Sequence, residues 1–238
     1  TLFANVLSAW EKSKLPNAEV RAEKLWNQLR VAKELTPTSS AYYLYVSLWS
    51  KSVSPGAAEK AETILREMVE DGKRNPKLLP SCAIFVNVIS SWKRRQKIDN
   101  SFAEQHAQSV LDLLVYEHTR RSKLVQKWMR FSINDVPFNA TISAWSNSSS
   151  SKPRIVEDRI ESILKTMEAL NVKPTMVTAW SALPMYLPRD VGATHTTIRD
   201  VPAKVLRLLD STLSRNGGGK NPMLQNKIFT RALEICGS

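Results

Sequence analysis

Apolar residues recur along the chain at helical spacing, and two kinds of helix alternate. The first kind opens with an aromatic residue and carries tryptophan seven positions later, as in Phe3…Trp10 and Phe138…Trp145. The same frame recurs four more times, with decreasing quality toward the end of the chain. These further copies are Tyr42…Trp49, Phe85…Trp92, a weaker one from Ala179 to Tyr186 and a ragged one from Gln225 to Ala232.

The second kind of helix follows each of the first five copies and has apolar residues at i, i+3, i+4 and i+7. This spacing predicts one apolar stripe on a helix. The stripes are Ala22-Leu25-Trp26-Leu29, Ala61-Ile64-Leu65-Met68, Ala107-Val110-Leu111-Leu114, Ile160-Ile163-Leu164-Met167 and Val205-Leu208-Leu209 with polar Thr212. Each repeating unit is therefore predicted to contain two helices.

Prolines punctuate the predicted helices. Three stand near the openings of second helices, where a missing N–H costs least: Pro55, Pro153 and Pro202. Three others stand just before first helices, each followed by a hydroxyl residue suited to an N-cap: Pro37-Thr38, Pro80-Ser81 and Pro174-Thr175. Pro184 falls inside the fifth first helix and is expected to kink or shorten it.

One helix pair cannot bury its stripe alone, whereas stacked pairs bury a continuous core and form a superhelix with a concave groove. No stretch alternates in the manner of a strand. We therefore predict an all-α protein, a right-handed superhelical α-solenoid of helix–turn–helix repeats. The chain forms one domain of about five and a half hairpins, with one additional helix predicted over Arg120–Asn134. The hairpins cover residues 1–37, 38–80, 81–134, 135–174, 175–221 and 222–238.

The chain has 238 residues, of which 42% are hydrophobic, enough for a sizeable core. Its net charge of +12 makes an anionic partner plausible. No run of about 20 apolar residues predicts a membrane span. The chain opens in an amphipathic pattern without an initiator Met, so we expect a fragment of a longer protein whose targeting segment lies elsewhere.

The sequence carries no motif of a known catalytic or metal site. Cys82 and Cys236 lie far apart without a second ligand beside either, so neither a zinc site nor a disulfide scaffold is predicted. Gly217-Gly218-Gly219-Lys220 lacks the remainder of a phosphate-binding loop and is interpreted as a connector. We predict a protein that is not an enzyme and needs no cofactor.

The best-formed unit resembles the pentatricopeptide repeat family. The likeness lies in the Phe138-Asn139 opening, the Ala144-Trp145 close of the first helix and the Val172-Lys173-Pro174-Thr175 exit. Tetratricopeptide repeats, which bind proteins, are the nearest alternative, and their Trp-Leu-Gly-Tyr signature is absent. The resemblance implies binding of single-stranded RNA, with about one base per repeat read by two or three side chains, in mitochondria or plastids.

The resemblance also implies which residues face the base. In the fourth unit they are Asn139 and Thr175, an amide and a hydroxyl. The corresponding pairs elsewhere are Ala4 with Thr38, Tyr43 with Ser81, Val86 with Asn134, and Trp180 with Asn221, while Asn226 opens the sixth unit. Four of the six units depart from the usual Asn, Ser or Thr, which argues against a base code. Tyr43 and Trp180 can stack on a base, so contact through stacking and phosphate stays open.

A line of basic residues near the ends of first helices is the family's expected contact with the RNA backbone. Here it consists of Lys12, Lys51 and Arg94 and lapses at Asn147 and Pro188. Arg94 belongs to the denser cluster Lys93-Arg94-Arg95, within a segment (93–130) that holds nine basic and four acidic residues. Binding by such a surface weakens with salt. Cations at the end of a helix also favour its dipole without any ligand.

Two functions follow from these patterns. One is an organellar RNA-binding protein that acts in transcript processing, stability or translation. The other is a structural subunit that scaffolds a large assembly, such as an organellar ribosome, by touching protein and RNA without a base code. The tryptophans at the shared position (10, 49, 92 and 145) are interpreted as core residues. Trp180 occupies a different position, and core packing is still favoured for it over stacking on a base.

Overall fold

The computed structural model describes residues 2–13, 17–31, 37–96, 102–124, 131–148, 151–186 and 230. These residues contain nine α-helices, two short 3₁₀ helices and no β-strand. The predicted all-α fold is therefore confirmed. The chain divides into two compact units, 1–133 and 134–238, and the division falls beside the predicted boundary at 134/135.

The first unit consists of three helical hairpins. Its helices are α1 (Leu2–Ser13), α2 (Ala18–Val31), α3 (Ser39–Lys51), α4 (Ala57–Arg74), α5 (Cys82–Arg95) and α6 (Ala103–Ser122), with a 3₁₀ helix at Pro76–Leu78 between α4 and α5. The helices pair as α1 with α2, α3 with α4 and α5 with α6. The first helices also pack in sequence, α1 on α3 and α3 on α5. Each hairpin thus covers the apolar face that its neighbour leaves open.

The predicted stripes form the core of this unit. All four stripe residues of α4 and of α6 are buried, and in α2 only Leu25 is half-exposed. Trp26 of α2 stacks on Tyr45 at 4.5 Å between ring centroids and meets Tyr42 edge-on at 4.8 Å. Trp49 and Trp92 are buried as expected, while Trp10 is half-buried. The shared tryptophan position is therefore a packing position in this unit.

Local signals set the starts of the first helices. Thr38 is the N-cap of α3, and its Oγ1 accepts a hydrogen bond from the backbone N–H of Ala41 at 3.2 Å. Ser81 is the N-cap of α5 but makes no side-chain capping bond.

The start of the second helix α4 depends on a glycine. Helix α4 begins after Gly56, whose φ of 76° lies in the left-handed region that favours glycine.

The second unit contains one hairpin and a further first helix in its described part. These are α7 (Val136–Ser146), α8 (Pro153–Ala169) and α9 (Met176–Ala182), followed by a 3₁₀ helix at Leu183–Tyr186. Helix α7 packs against both α8 and α9, and Trp145 is buried. Thr175 is the N-cap of α9, as predicted. Pro184 shortens this helix to seven residues and lies in the 3₁₀ turn that replaces it.

The additional helix predicted over 120–134 is not supported at either end. Arg120 and Arg121 belong to the last turn of α6, and residues 131–134 lie in no helix. The last turns of α6 are held by the buried ion pair of Glu117 and Arg121 and by the hydrogen bond from Arg121 to the Pro80 carbonyl, and the helix continues through to Ser122. Of the predicted inner face of the additional helix, Leu124 is half-buried and lies in no helix, while Val125, Trp128 and Met129 lie outside the described residues. Pro202, the fifth second helix and the sixth unit apart from residue 230 also lie outside them.

Candidate nucleic-acid interface

The two predicted base readers of the fourth unit meet at one carboxylate. Asn139 lies on α7 and Thr175 caps α9. The Nδ2 of Asn139 donates to Oδ2 of Asp135 at 2.8 Å, and the hydroxyl of Thr175 donates to the same oxygen at 2.7 Å. The packing of α9 on α7 therefore brings together two side chains that the sequence separates by a whole hairpin.

The remaining atom of the Asn139 amide makes no hydrogen bond. Asn139 is only 6% exposed, and its Oδ1 is buried without a partner among the described residues. An unsatisfied buried acceptor costs about 1–3 kcal/mol. Because Asp135 is an acceptor when ionised, it selects the orientation in which the amide nitrogen faces it. The atom left over is a hydrogen-bond acceptor.

The aromatic residues at the equivalent positions are accessible. Tyr43 on α3 is 39% exposed and Trp180 on α9 is 41% exposed. The interpretation that favoured core packing for Trp180 is wrong, because this position points away from the surface that α9 buries on α7. Ala4 and Val86, at the same position of α1 and α5, are half-buried. Ser81 is exposed, and Asn226 lies outside the described residues.

Most cations of the predicted basic line already bind other groups of the protein. The Nζ of Lys51, at the end of α3, lies 2.6 Å from Oε1 of Glu11 on α1. The guanidinium of Arg94, at the end of α5, donates to the backbone carbonyl of Ser50 on α3. Lys12 is exposed at the end of α1. Two of the three cations in the line therefore join one first helix to the preceding one.

The neighbours of Arg94 are also engaged. Arg95 lies 3.7 Å from Glu59 of α4, with its side chain 18% exposed, and Lys93 is half-buried. Burial lowers the pKa of Arg94. Arg94 donates to a carbonyl and forms no ion pair with any described residue, and part of its side chain remains exposed.

Buried carboxylates at the joints between helices are the features that the sequence interpretation missed. Glu62 of α4 accepts from Trp92 Nε1 at 2.9 Å, lies 3.2 Å from His106 Nδ1, and pairs with Arg66 at 2.6 Å. Asp71 accepts from the hydroxyl of Tyr42 at 2.6 Å. These two carboxylates connect α4 to α3, α5 and α6. Although the chain as a whole is basic, several carboxylates are therefore buried or half-buried between its helices.

A weak signal for some of these carboxylates exists in the repeat. Glu19, Glu104 and Glu157 each stand three residues before the first residue of a second-helix stripe. Glu19 is 9% exposed and accepts from Ser52 and Ser54 at 2.9 and 2.7 Å, and Glu104 is 1% exposed. A carboxylate that recurs at the same position of the repeat therefore indicates a buried contact between a second helix and its neighbours.

The pKa values of three glutamates reflect this environment. Burial raises the pKa of Glu11, Glu19 and Glu117, but hydrogen bonds outweigh it and hold all three below the ordinary value of 4.5. The donors are Lys51 and Ser47 for Glu11, Ser54 and Ser52 for Glu19, and Arg120 and Arg121 for Glu117. Ionised carboxylates are thus part of the folded structure.

The described residues hold no group of three His, Cys, Asp or Glu side chains arranged for a metal ion. None of the described helices combines the length and the apolar character needed to cross a membrane.

No protein-family model matches the chain, and no curated protein or solved structure matches it either.

Proposed function

We propose that this protein is a pentatricopeptide-type α-solenoid that binds single-stranded RNA along the exposed side of its first helices. Its hairpins stack into a right-handed superhelix, and the protein acts on transcripts of a mitochondrion or plastid in their processing, stability or translation. RNA is bound by stacking on aromatic side chains and by phosphate contacts, with little reading of base edges.

The observation that carries the proposal is the meeting of Asn139 and Thr175 at Asp135. The resemblance pairs these two positions on one base, although they lie in different hairpins. The Nδ2 of Asn139 and the Oγ1 of Thr175 lie 2.8 and 2.7 Å from the same Asp135 oxygen, so the two side chains are close enough to contact one base. The Oδ1 of Asn139 has no hydrogen bond among the described residues, but it is buried, so it can accept from an exocyclic amine of a base only after the side chains that cover it move aside.

The half-exposed aromatics support the stacking mode. Tyr43 and Trp180 stand at the equivalent position of two first helices. A base stacked on an aromatic side chain contributes about 1–3 kcal/mol and tolerates any sequence. Because Ala4 and Val86 at the other equivalent positions offer neither a ring nor a polar group, this stacking cannot read a sequence along the whole groove.

A specific observation favours the second function, a scaffolding subunit of a large ribonucleoprotein assembly. Lys51 and Arg94 are bound to Glu11 and to the Ser50 carbonyl. Cations used in this way stiffen the stack of first helices and give less to an RNA backbone. A rigid stack with few free readers suits docking onto protein and structured RNA without a base code.

The deciding experiment is a binding titration of the 238-residue chain with single-stranded oligouridylate and oligoadenylate at two salt concentrations. We expect binding to both, weaker at the higher salt. Trp180→Ala and Tyr43→Ala should each lower the affinity roughly 5- to 150-fold, as expected for the loss of about 1–3 kcal/mol of stacking. The matched control is Phe102→Ala, which removes an aromatic ring that is 59% exposed at the N-cap of the second helix α6.

The outcomes separate the functions. Binding that Trp180→Ala and Tyr43→Ala weaken supports the first function, and a preference for one RNA that Asn139→Ala removes adds reading of bases to it. Binding to both RNAs that none of these three variants changes supports the scaffold. No retention of either RNA at low salt contradicts both and leaves a protein-binding solenoid. Circular dichroism of each variant establishes that lost binding is not lost folding.

A further inference from the structure

A second basic surface lies at the C-terminal ends of α4 and α6. The end of α4 and the following 3₁₀ helix carry Lys73, Arg74 and Lys77, and the end of α6 carries Arg120, Arg121 and Lys123. None of these six residues belongs to the predicted basic line at the ends of first helices. We call these six residues the basic end.

The two halves of the basic end are neighbours in space. The Nη1 of Arg121 donates to the backbone carbonyl of Pro80 at 2.8 Å, which places the last turn of α6 against the segment that follows Lys77. Glu117 raises the pKa of Arg120 through its hydrogen bonds, and Glu70 on α4 adds to that rise. The last turn of α6 therefore lies beside the end of α4 and the segment that follows Lys77, and Arg121, which is buried, joins them.

Only part of this charge is compensated within the protein. Glu117 is fully buried and serves both Arg120 and Arg121, at 2.8 and 3.0 Å, and Glu70 pairs with Lys73 at 2.6 Å. Asp71, the next carboxylate on α4, is taken by Arg30 at 3.0 Å. The exposed residues Arg74, Lys77 and Lys123 make no ion pair with any described residue.

Hydrogen bonds fix the backbone that carries the residues of the basic end. Asn75 Oδ1 accepts from the N–H of Lys77 at 3.2 Å, and the N–H groups of Leu78 and Leu79 bond back to Asn75 and Pro76. On α6, the guanidinium of Arg121 is buried and lies 4.9 Å from the ring centre of Phe131. Helix dipoles explain cations in the last turns of α4 and α6, but not Lys77, which follows both the helix and its cap.

We propose that the basic end is a binding surface for the phosphodiester backbone of double-stranded RNA, recognised without regard to base sequence. Three cations without an ion pair among the described residues are complementary in charge to the phosphates of a duplex. The exposed ring beside them, Tyr116 one turn before Arg120 on α6, is a single platform and not a row on which successive unpaired bases could stack. A-form RNA is recognised mainly by shape and backbone contacts, which is the chemistry that this surface supplies. The surface shares no residue with the proposed site for single-stranded RNA.

The test uses a double-stranded RNA of about 16 base pairs, since its base faces are stacked inside and unavailable to Tyr43 and Trp180. The triple variant Arg74→Gln, Lys77→Gln, Lys123→Gln is compared with a matched control, Arg154→Gln, Lys24→Gln, Lys165→Gln. The control removes the same number of charges from exposed positions on α2 and α8. Binding is measured by anisotropy over a range of salt concentrations.

We expect the first triple variant to lower the slope of log K against log salt by roughly two to three and to weaken binding about tenfold or more at low salt. The control should keep most of the wild-type slope. Equal weakening by both variants would show that net charge alone is responsible and overturn the proposal. An unchanged affinity of the first variant would overturn it as well.

Two further arms separate this inference from its alternatives. Single-stranded RNA tests the proposed function by itself, so binding of one RNA form without the other identifies which proposal fails. Vesicles of phosphatidylserine and phosphatidylcholine test whether lipid phosphates are the ligand. Binding to these vesicles that depends on Arg74, Lys77 and Lys123, with no binding to the duplex, contradicts the proposal.

Discussion

The hydroxyl of Thr175 donates a 2.7 Å hydrogen bond to the carboxylate of Asp135, forty residues earlier in the chain. Thr175 caps α9 and Asp135 precedes the first residue of α7. The bond therefore ties together the starting points of two successive first helices. Asn139 shares the same oxygen, so one carboxylate orients both of the residues proposed to face RNA.

Replacing Asp135 with alanine should destabilise the second unit by about 3–6 kcal/mol, because two hydrogen bonds to a charged group are lost and each contributes about 1.5–3 kcal/mol. Urea unfolding measures this change. Thr175→Val removes one of the two bonds and should cost less. In the double variant the two losses should not add, since Thr175 has already lost its partner. Full additivity would show that the carboxylate and the hydroxyl act independently.

Glu117 should make the stability of the protein depend on acid. Its pKa is lowered in the folded state, so its contribution is fully present above the ordinary value of 4.5 and is lost as the pH falls through the lower folded-state value. Glu117→Gln removes this dependence and leaves Arg121 buried without a carboxylate. We expect a loss of about 3–5 kcal/mol at pH 7 and a flatter decline of stability below about pH 4.5.

The free energy of unfolding of the wild type and of Glu117→Gln is measured by urea unfolding at a series of pH values from neutral to acidic. Glu161→Gln, at an exposed position of α8, is the control and should change stability by less than about 0.5 kcal/mol. Parallel acid limbs in the wild type and Glu117→Gln would mean that other carboxylates dominate the pH dependence.

Gly72 should resist substitution although it lies within a helix. Alanine normally stabilises a helix by about 1 kcal/mol relative to glycine. At this position a Cβ would lie 2.8 Å from Cδ2 and 3.1 Å from Cα of Leu79, and the second contact involves backbone. We expect Gly72→Ala to destabilise the protein by about 1–2 kcal/mol net, measured by thermal unfolding. A melting temperature at or above that of the wild type would contradict this close approach.

Releasing Lys51 should strengthen binding of single-stranded RNA. Glu11 holds Lys51 at 2.6 Å and also accepts from Ser47 at 2.6 Å. Glu11→Gln frees the ammonium group, so the slope of log K against log salt should rise by about one and low-salt affinity should increase several-fold. Adding Lys51→Gln should reverse the gain. A gain that survives this second change would place the new contact elsewhere.

Much of the helical architecture follows from local patterns. The spacing of apolar residues predicts α2, α4, α6 and α8, and the proline–hydroxyl pairs mark the starts of α3, α5 and α9. The burial of Trp49, Trp92 and Trp145 also follows, because one position repeated in successive hairpins meets the same neighbours each time. These features depend on residues close in sequence and on the periodic placement of apolar side chains along each helix.

The state of the polar side chains depends instead on how the helices dock. Lys51 and Arg94 look alike in the sequence as free cations, yet their partners, Glu11 and the Ser50 carbonyl, lie 40 and 44 residues away. Asn139 is held by Asp135, while Trp180 at the equivalent position is exposed. Periodicity fixes which face of a helix is apolar, but whether a charge meets water or a carboxylate is set by the register between neighbouring helices. That register exists only once the hairpins have packed.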